Sequence, residues 1–366
     1  RADDPVVGGP ESSRSEMLHN GVMPADSVTA QFAPVRGYLN TASLGLPPRA
    51  TGEALHAALD DWFHGRWDAG AFDVHVDTAR AAYARVVDVD VARVGILSQV
   101  STASGLVAAS LPEGSRVLLA EEEFSSTIYP FLNDTRLDVQ AVPLDSLLDR
   151  IDDRVDLVVV SAVQSADGRV TDLDALEAAA KAHGVRTFVD LSQASGWLPV
   201  KADRFDVTAC GAYKWLCSPR GSGFITVAEW ADWVRPVYPN WYSGPDPWQS
   251  LYGTPVRLAS DARRYNVSPA WFDFVGAAVS VSLLADLGVE TAHRHSVRLA
   301  NRLREALGME PSNSAIVALD TPHGDRLREA GVKAAIRAGK VRLSFYIYNT
   351  DEDVDLVADL LGAAPA

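Results

Sequence analysis

Cysteine is nearly absent from this chain: Cys210 and Cys217 are the two among 366 residues. So few exclude a disulfide framework, and they favour a cytoplasmic protein. Positive charge is outnumbered, 33 Lys and Arg against 48 Asp and Glu, for a net charge of −15. That balance argues against a nucleic-acid surface or an anionic membrane as the main partner. No apolar run approaches the length of a membrane span. Internal repeats and low-complexity segments are missing too. The stretch from Arg1 to Glu16 lacks the apolar core of a signal peptide and is rich in Pro, Gly, Ser and charge. It reads as a leader without regular structure, with Met17 a candidate start.

What the chain does carry is an ordinary globular composition, 47% hydrophobic and 22% charged, over enough residues for a large domain and a smaller one. Apolar spacing predicts helices over Ala50–Phe63 and Val76–Val87. From Val94 short apolar runs alternate with amphipathic stretches. Strands are predicted at Val94–Leu97, Arg116–Leu119, Val139–Pro143, Leu157–Val160, Arg186–Leu191 and Asp206–Cys210. Helices fall between them at Ser101–Leu111, Thr127–Leu132, Leu144–Ile151 and Leu173–His183, the last with Thr171 or Asp172 placed to cap it and Gly184 to stop it. Strands apolar on both faces and alternating with helices mean an α/β protein with a mainly parallel sheet covered on both sides. Function in such sheets gathers at the carboxyl ends of the strands.

After Gly223 the pattern loosens, and Tyr238–Tyr252 reads as a long aromatic loop that either lines a pocket or covers a subunit surface. Helices are predicted at Phe274–Leu287 and Thr291–Leu307. The tail reads strand (Ala315–Leu319), helix (Asp325–Ala330), two strands (Val332–Ile336, Val341–Tyr346) and helix (Asp353–Leu361), a small α+β unit. The domain reading is a leader over 1–37, a large domain over 38–270 and a small C-terminal domain over 271–366. The first residues of the large domain are candidates to pack on the small one.

The stretch Gly211-Ala212-Tyr213-Lys214-Trp215-Leu216 sets one lysine between two aromatic residues, after an apolar strand and before a glycine-rich turn. Burying an ammonium is costly, and a desolvated lysine gives up its proton more readily. A neutral amine can form a Schiff base, which is the chemistry of pyridoxal phosphate (PLP) enzymes. The competing reading is a surface lysine whose stem packs on Trp215.

Other residues bear on that choice. Asp190 ends an apolar strand and could hold a protonated pyridine nitrogen, or simply cap a helix. Gln193 could donate to a ring phenolate oxygen. Ser101 and Thr102 sit at a strand–helix junction where free amides attract an anion, and a plain cap is the alternative. Tyr213 could add a phosphate donor. Phe124 could stack on a ring, or pack in the core. Ser165 closes the Leu157–Val160 strand at the same end. Arg342 opens a late strand and could clamp a carboxylate in a bidentate pair, or form a surface ion pair.

In the order anion turn, aromatic, Asp-x-x-Gln, lysine and late arginine, the chain resembles the class V aminotransferase and cysteine desulfurase family of fold-type I PLP enzymes. The most specific pieces are Val189-Asp190-Leu191-Ser192-Gln193-Ala194-Ser195-Gly196, Tyr213-Lys214-Trp215-Leu216 and Val341-Arg342-Leu343-Ser344. The resemblance implies a seven-stranded-type sheet in the large domain, with Lys214 as the Schiff-base lysine. Asp190 and Gln193 become the partners of the pyridine nitrogen and the phenolate oxygen, and Ser101 and Thr102 the phosphate turn. Arg342 becomes the substrate-carboxylate arginine. Ser268 falls in a loop that, in the family, reaches the neighbouring subunit's phosphate, which implies a homodimer with shared sites. Departures are visible: Val100 stands where a glycine is usual, Tyr213 and Phe124 where histidines are common, and Ser165 where asparagine is common.

The departure with most consequence is the mobile catalytic cysteine of the desulfurases, absent from Ala334–Lys340. The expected reaction is therefore not persulfide formation. A C–S lyase eliminating the β-substituent of a cysteine conjugate is favoured. An amino acid aminotransferase and an isopenicillin-N-epimerase-like enzyme are alternatives, and a catalytically silent binding relative is the reading from another class.

Overall fold

The computed structural model describes residues 28–33 and 35–362, so the reading of the first sixteen residues, and of most of the leader, lies outside the described residues. In chain order the main elements begin with α1 (Arg49–Phe63), α2 (Asp73–Val86), β1 (Val94–Leu97), α3 (Val100–Ser110), β2 (Arg116–Ala120), α4 (Ser125–Leu132), β3 (Asp138–Val142) and the single turn α5 (Leu144–Leu147). They continue with β4 (Leu157–Ser161), α6 (Leu173–His183), β5 (Arg186–Asp190), β6 (Val207–Gly211), β7 (Gly223–Val227), α7 (Trp271–Leu287) and α8 (Val289–Ala306). The chain closes with β8 (Ile316–Leu319), α9 (Gly324–Glu329), β9 (Ala335–Arg337), β10 (Lys340–Ser344) and α10 (Asp351–Leu361).

The large sheet has seven strands in the order β1-β7-β6-β5-β4-β2-β3. Pairings from β6 through β5, β4 and β2 to β3 are parallel, and β7 runs antiparallel to both its neighbours. Strand alternation explains the layers. Val158 and Val160 of β4 join one core with Ile96, Ala79 of α2 and Phe274 of α7, whereas Leu157 and Val159 join the other with Leu106 of α3 and Phe131 of α4. Being covered on both faces, β4 is buried throughout, which is why it reads as an unbroken apolar run. β7 has no counterpart in the sequence reading: five residues behind a glycine-rich turn carry too little pattern to separate strand from loop. In the structure it fills the gap between β1 and β6, fully buried.

Asp172 caps α6 by accepting from the Asp174 and Ala175 amides at 3.1 and 2.9 Å, and Gly184 ends it in the left-handed region at φ 66°. Thr171, the other candidate cap, instead donates to the Ser161 carbonyl.

A second sheet, β8-β10-β9, is antiparallel. With α8 and α10 it encloses its own core of Leu299, Leu303, Val317, Leu343, Val354 and Val357. The chain before α1 joins this layer, since Tyr38 bridges Lys333 and Asn40 bridges Ser344. α7, which begins at the expected boundary of 271, buries Phe274, Val281 and Leu284 in the core of the large sheet. Among the described residues no single helix is long and apolar enough to cross a membrane.

Candidate active site

The sheet aims its chemistry at one edge. The ends of β1 and β6, Leu97 and Gly211, both pair with Gly223 at the start of antiparallel β7, and Ser161 at the end of β4 pairs with Asp190 at the end of β5. Three residues beyond β6, Lys214 is 7% exposed. Its Nζ lies 5.3 Å from the centroid of the Phe124 ring and 5.6 Å from that of Tyr213. Burial holds its pKa below the ordinary 10.5 against the attraction of Asp190, and the guanidinium groups of Arg342 and Arg337 push the same way as burial. Gly45 fixes the backbone here. Its amide donates to the Tyr213 carbonyl at 2.9 Å, and a Cβ on it would lie 1.9 Å from the Lys214 carbonyl oxygen. Only glycine allows that approach.

Asp190 is buried and oriented from both sides. Its Oδ1 accepts from the Ser192 amide at 2.8 Å and its Oδ2 from Thr127 Oγ1 at 2.7 Å. Gln193 is held by its oxygen, which accepts from Trp215 Nε1 at 2.7 Å. Its amide nitrogen then donates to the Ala42 carbonyl at 2.9 Å and to Ser165 Oγ at 3.2 Å. Trp215 therefore sets which way the amide faces, a role that its place beside the lysine does not announce. Beside Asp190, the buried carboxyl of Glu123 takes bonds from the Ser161 amide at 2.6 Å, the Ser161 hydroxyl and Gln164 Nε2 at 2.7 Å. Burial raises the Glu123 pKa against those bonds. Thr127, Trp215 and Glu123 all escape the sequence reading, because each is recognised only by what it touches across the fold.

Ser101 and Thr102 lie in the first turn of α3, whose N-cap residue Gln99 makes no side-chain cap. They line an open cleft of about 580 Å³ with Gln99, Tyr238, Asn240, Val267 and Ser268. Ser268, expected to serve a neighbouring subunit, thus stands beside Ser101 and Thr102 of its own chain. Tyr238 and Asn240 open the aromatic loop, and its later part is tied down elsewhere. Tyr242 Oη and Trp248 Nε1 donate to the two oxygens of Asp73 at 2.7 and 2.6 Å. The Tyr213 ring, expected to add a phosphate donor, lies beneath the Arg220 guanidinium at 5.2 Å, and burial raises its phenol pKa.

Arg342 arrives from β10 and is 1% exposed. Its Nη1 donates to the Ser165 carbonyl and to Ser165 Oγ, and its Nη2 to Ser43 Oγ at 2.7 Å. Its Nε is buried without a partner among the described residues. Every partner is neutral, and burial lowers the guanidinium pKa to about 10, with Arg337 adding to the shift. A buried guanidinium with only neutral partners and a spare N–H is complementary to a carboxylate.

These groups suit pyridoxal phosphate: an amine whose pKa burial lowers, a fixed carboxylate for the ring nitrogen, a fixed amide for the ring oxygen, an aromatic face on Phe124, and a helix N-terminus with hydroxyls for the phosphate.

Neither cysteine can act as a travelling nucleophile. Cys210 and Cys217 are 2% and 1% exposed, and burial pushes the Cys210 thiol up to about 12 and that of Cys217 higher still. Where the desulfurases carry their cysteine loop, β9 and β10 are joined by a tight turn with Ala338 and Gly339 at φ 45° and 78°. The double variant Cys210→Ala, Cys217→Ala should leave turnover largely intact, with a packing penalty of about 1 kcal/mol in stability. Alanine formed from cysteine by the wild type, and lost in this variant while cofactor stays bound, would overturn that assignment.

A family model described as "Aminotransferase class-V" matches residues 70–323. Among relatives, the chain is similar to "Uncharacterized aminotransferase YcbU" of Bacillus subtilis, 26% identical over 317 residues that cover 78% of this chain and 82% of the relative. It is also similar to isopenicillin N epimerase of Streptomyces clavuligerus, 26% identical over 381 residues that cover 89% and 94%. Among solved structures, the cysteine desulfurase CsdA of Escherichia coli superposes with a TM-score of 0.78 at 20% identity, over 93% of this chain and 98% of that one.

Proposed function

The chain belongs to the class V aminotransferase family and is a pyridoxal phosphate-dependent enzyme; from that premise we propose that it is a C–S lyase, removing the β-substituent of cysteine or a cysteine S-conjugate. When bound, the cofactor supplies an electron sink for charge developing at the α-carbon. Lys214 would hold the cofactor through its aldehyde carbon and would take up the substrate's α-proton. Asp190, fixed by Thr127 and Ser192, would keep a proton on the ring nitrogen. Gln193 would donate to the ring oxygen, and Arg342 would orient the substrate carboxylate. The C–S bond then breaks, and sulfur leaves with the electron pair and takes up a proton. The remaining three-carbon fragment hydrolyses to pyruvate and ammonia.

The observation that carries this reading is the buried amine of Lys214, without a hydrogen bond or ion pair among the described residues, in a site whose two cysteines are both fixed in the core. A silent binding relative would have no use for a buried lysine and a buried arginine that lack an ion-pair partner among the described residues, each costly to keep. Transamination shares the single base, so products decide. A panel of amino acids and cysteine S-conjugates should give pyruvate and ammonia in equal amounts from the conjugates. Keto acids of unchanged carbon skeleton would show an aminotransferase instead.

The working unit is proposed to be a homodimer. Trp62 and Phe63, whose rings are 6.0 Å apart, expose 50 and 81% of their surface, and Tyr252 and Val256 expose 87 and 74%; exposed apolar side chains of this size are of the kind that a second copy covers. Gel filtration of the PLP-loaded protein at the monomer position would remove this part of the proposal.

A further inference from the structure

The β9–β10 register places Lys340 opposite Arg337 and Arg342 opposite Ala335. Cross-strand partners share a face of the ladder, and so do residues two apart. Arg337, Lys340 and Arg342 therefore sit at positions on one face of a single short hairpin. The side chains agree. Arg342 Nη2 lies 2.7 Å from Ser43 Oγ and Arg337 Nη2 3.5 Å from the same oxygen, so two guanidinium groups converge on one neutral hydroxyl. Neither arginine, nor Lys340, makes an ion pair among the described residues. Like charges placed opposite one another are destabilising, and an anion bound between them would relieve that repulsion. Arg342 is buried at depth and Arg337 is exposed at the mouth.

We infer that the substrate carries a second acidic group, a carboxylate or sulfinate at the end of its side chain, and that Arg337 recognises it. The inference rests on the reading of Arg342 as the clamp for the α-carboxylate. With that carboxylate taken by the buried arginine, a side chain reaching toward the turn meets Arg337 next. The field of Arg337 reaches into the site, since it lowers the pKa of both Lys214 and Arg342. In place of a thiol-bearing loop, the short hairpin brings a fixed cation to the mouth. An acidic leaving group gains from that charge, whereas a neutral one does not.

Binding of unreactive acids separates this from the reaction type. Calorimetric titration of the PLP-loaded protein with succinate and with propionate should show succinate held about tenfold more tightly, the size of one charge-assisted contact. Arg337→Gln should bring succinate down to the level of propionate and leave propionate unchanged. Arg337→Lys should keep part of the preference, which a merely structural role would not predict. In turnover, kcat/KM for S-carboxyethyl-cysteine should fall in Arg337→Gln, while that for the matching amide stays. Equal loss for both acids would mean that the two arginines share one carboxylate, and the inference fails. It fails as well if wild type shows no preference for the diacid. Failure of the parent reading has its own signature, namely that Arg342→Ala leaves propionate binding intact.

Discussion

Replacing Lys214 with alanine is expected to lower turnover by roughly 10²–10⁴-fold, the size of a lost general base, while the chain stays folded. The amine makes no hydrogen bond or ion pair among the described residues, so its removal strands no partner. Added methylamine should restore part of the rate, because a small amine can enter the space and take the proton. Borohydride reduction of the wild type with PLP, followed by peptide mapping, should label Lys214. Wild-type turnover by Lys214→Ala would sink the assignment. The buried amine also leaves a mark on stability. Its folded pKa lies below the ordinary 10.5 because of burial, so between those two values the unfolded chain binds the extra proton and stability rises with pH. In cofactor-free protein, Lys214→Met should thus be more stable than wild type near pH 7, with the gap closing toward about pH 10. Urea unfolding at a series of pH values measures this directly. A gap that widens with rising pH would contradict the sign.

Arg342→Ala should cost about 2–5 kcal/mol in kcat/KM for amino acids, roughly 30-fold to several thousand-fold. The cost is large because the guanidinium is already out of water. Its partners are the Ser165 carbonyl and hydroxyl and the Ser43 hydroxyl, and its Nε is unpaired. The desolvation is therefore met in the free protein, and a carboxylate gains nearly the full strength of the pair. Arg342→Lys should recover little, since a single ammonium cannot bond both oxygens in plane. An amine lacking a carboxylate should be handled alike by wild type and Arg342→Ala. Equal kcat/KM for wild type and Arg342→Ala on an amino acid would exclude the clamp.

The sheet was legible in the residue order because its strands are buried on both faces. Leu157–Val160 and Arg186–Leu191 stand out as apolar runs, and a polar residue that ends such a run, as Asp190 does, is already marked as lying at the functional edge. Lys214 could be picked out for the same reason, being a charge placed directly after an apolar strand. Short, glycine-led β7 carried no such mark, although the sheet needs it to join β1 to β6.

What the sequence by itself determined is the set of chemical groups on offer: a lysine between aromatics, an Asp-x-x-Gln at the end of an apolar strand, arginine in a late strand, and no thiol where a desulfurase has one. The tertiary structure alone decided who holds them. Thr127 meets Asp190 across 63 residues of chain, Arg342 meets Ser43 across 299, and Trp215 turns the Gln193 amide. Ser268 joins Ser101 in one cleft, and Arg337 comes to share a hydroxyl with Arg342. Periodicity and turn chemistry act over a few residues and so can be read along the chain. These pairings depend on strand order and on how the small layer closes over the large one, which is set by packing between segments far apart in sequence.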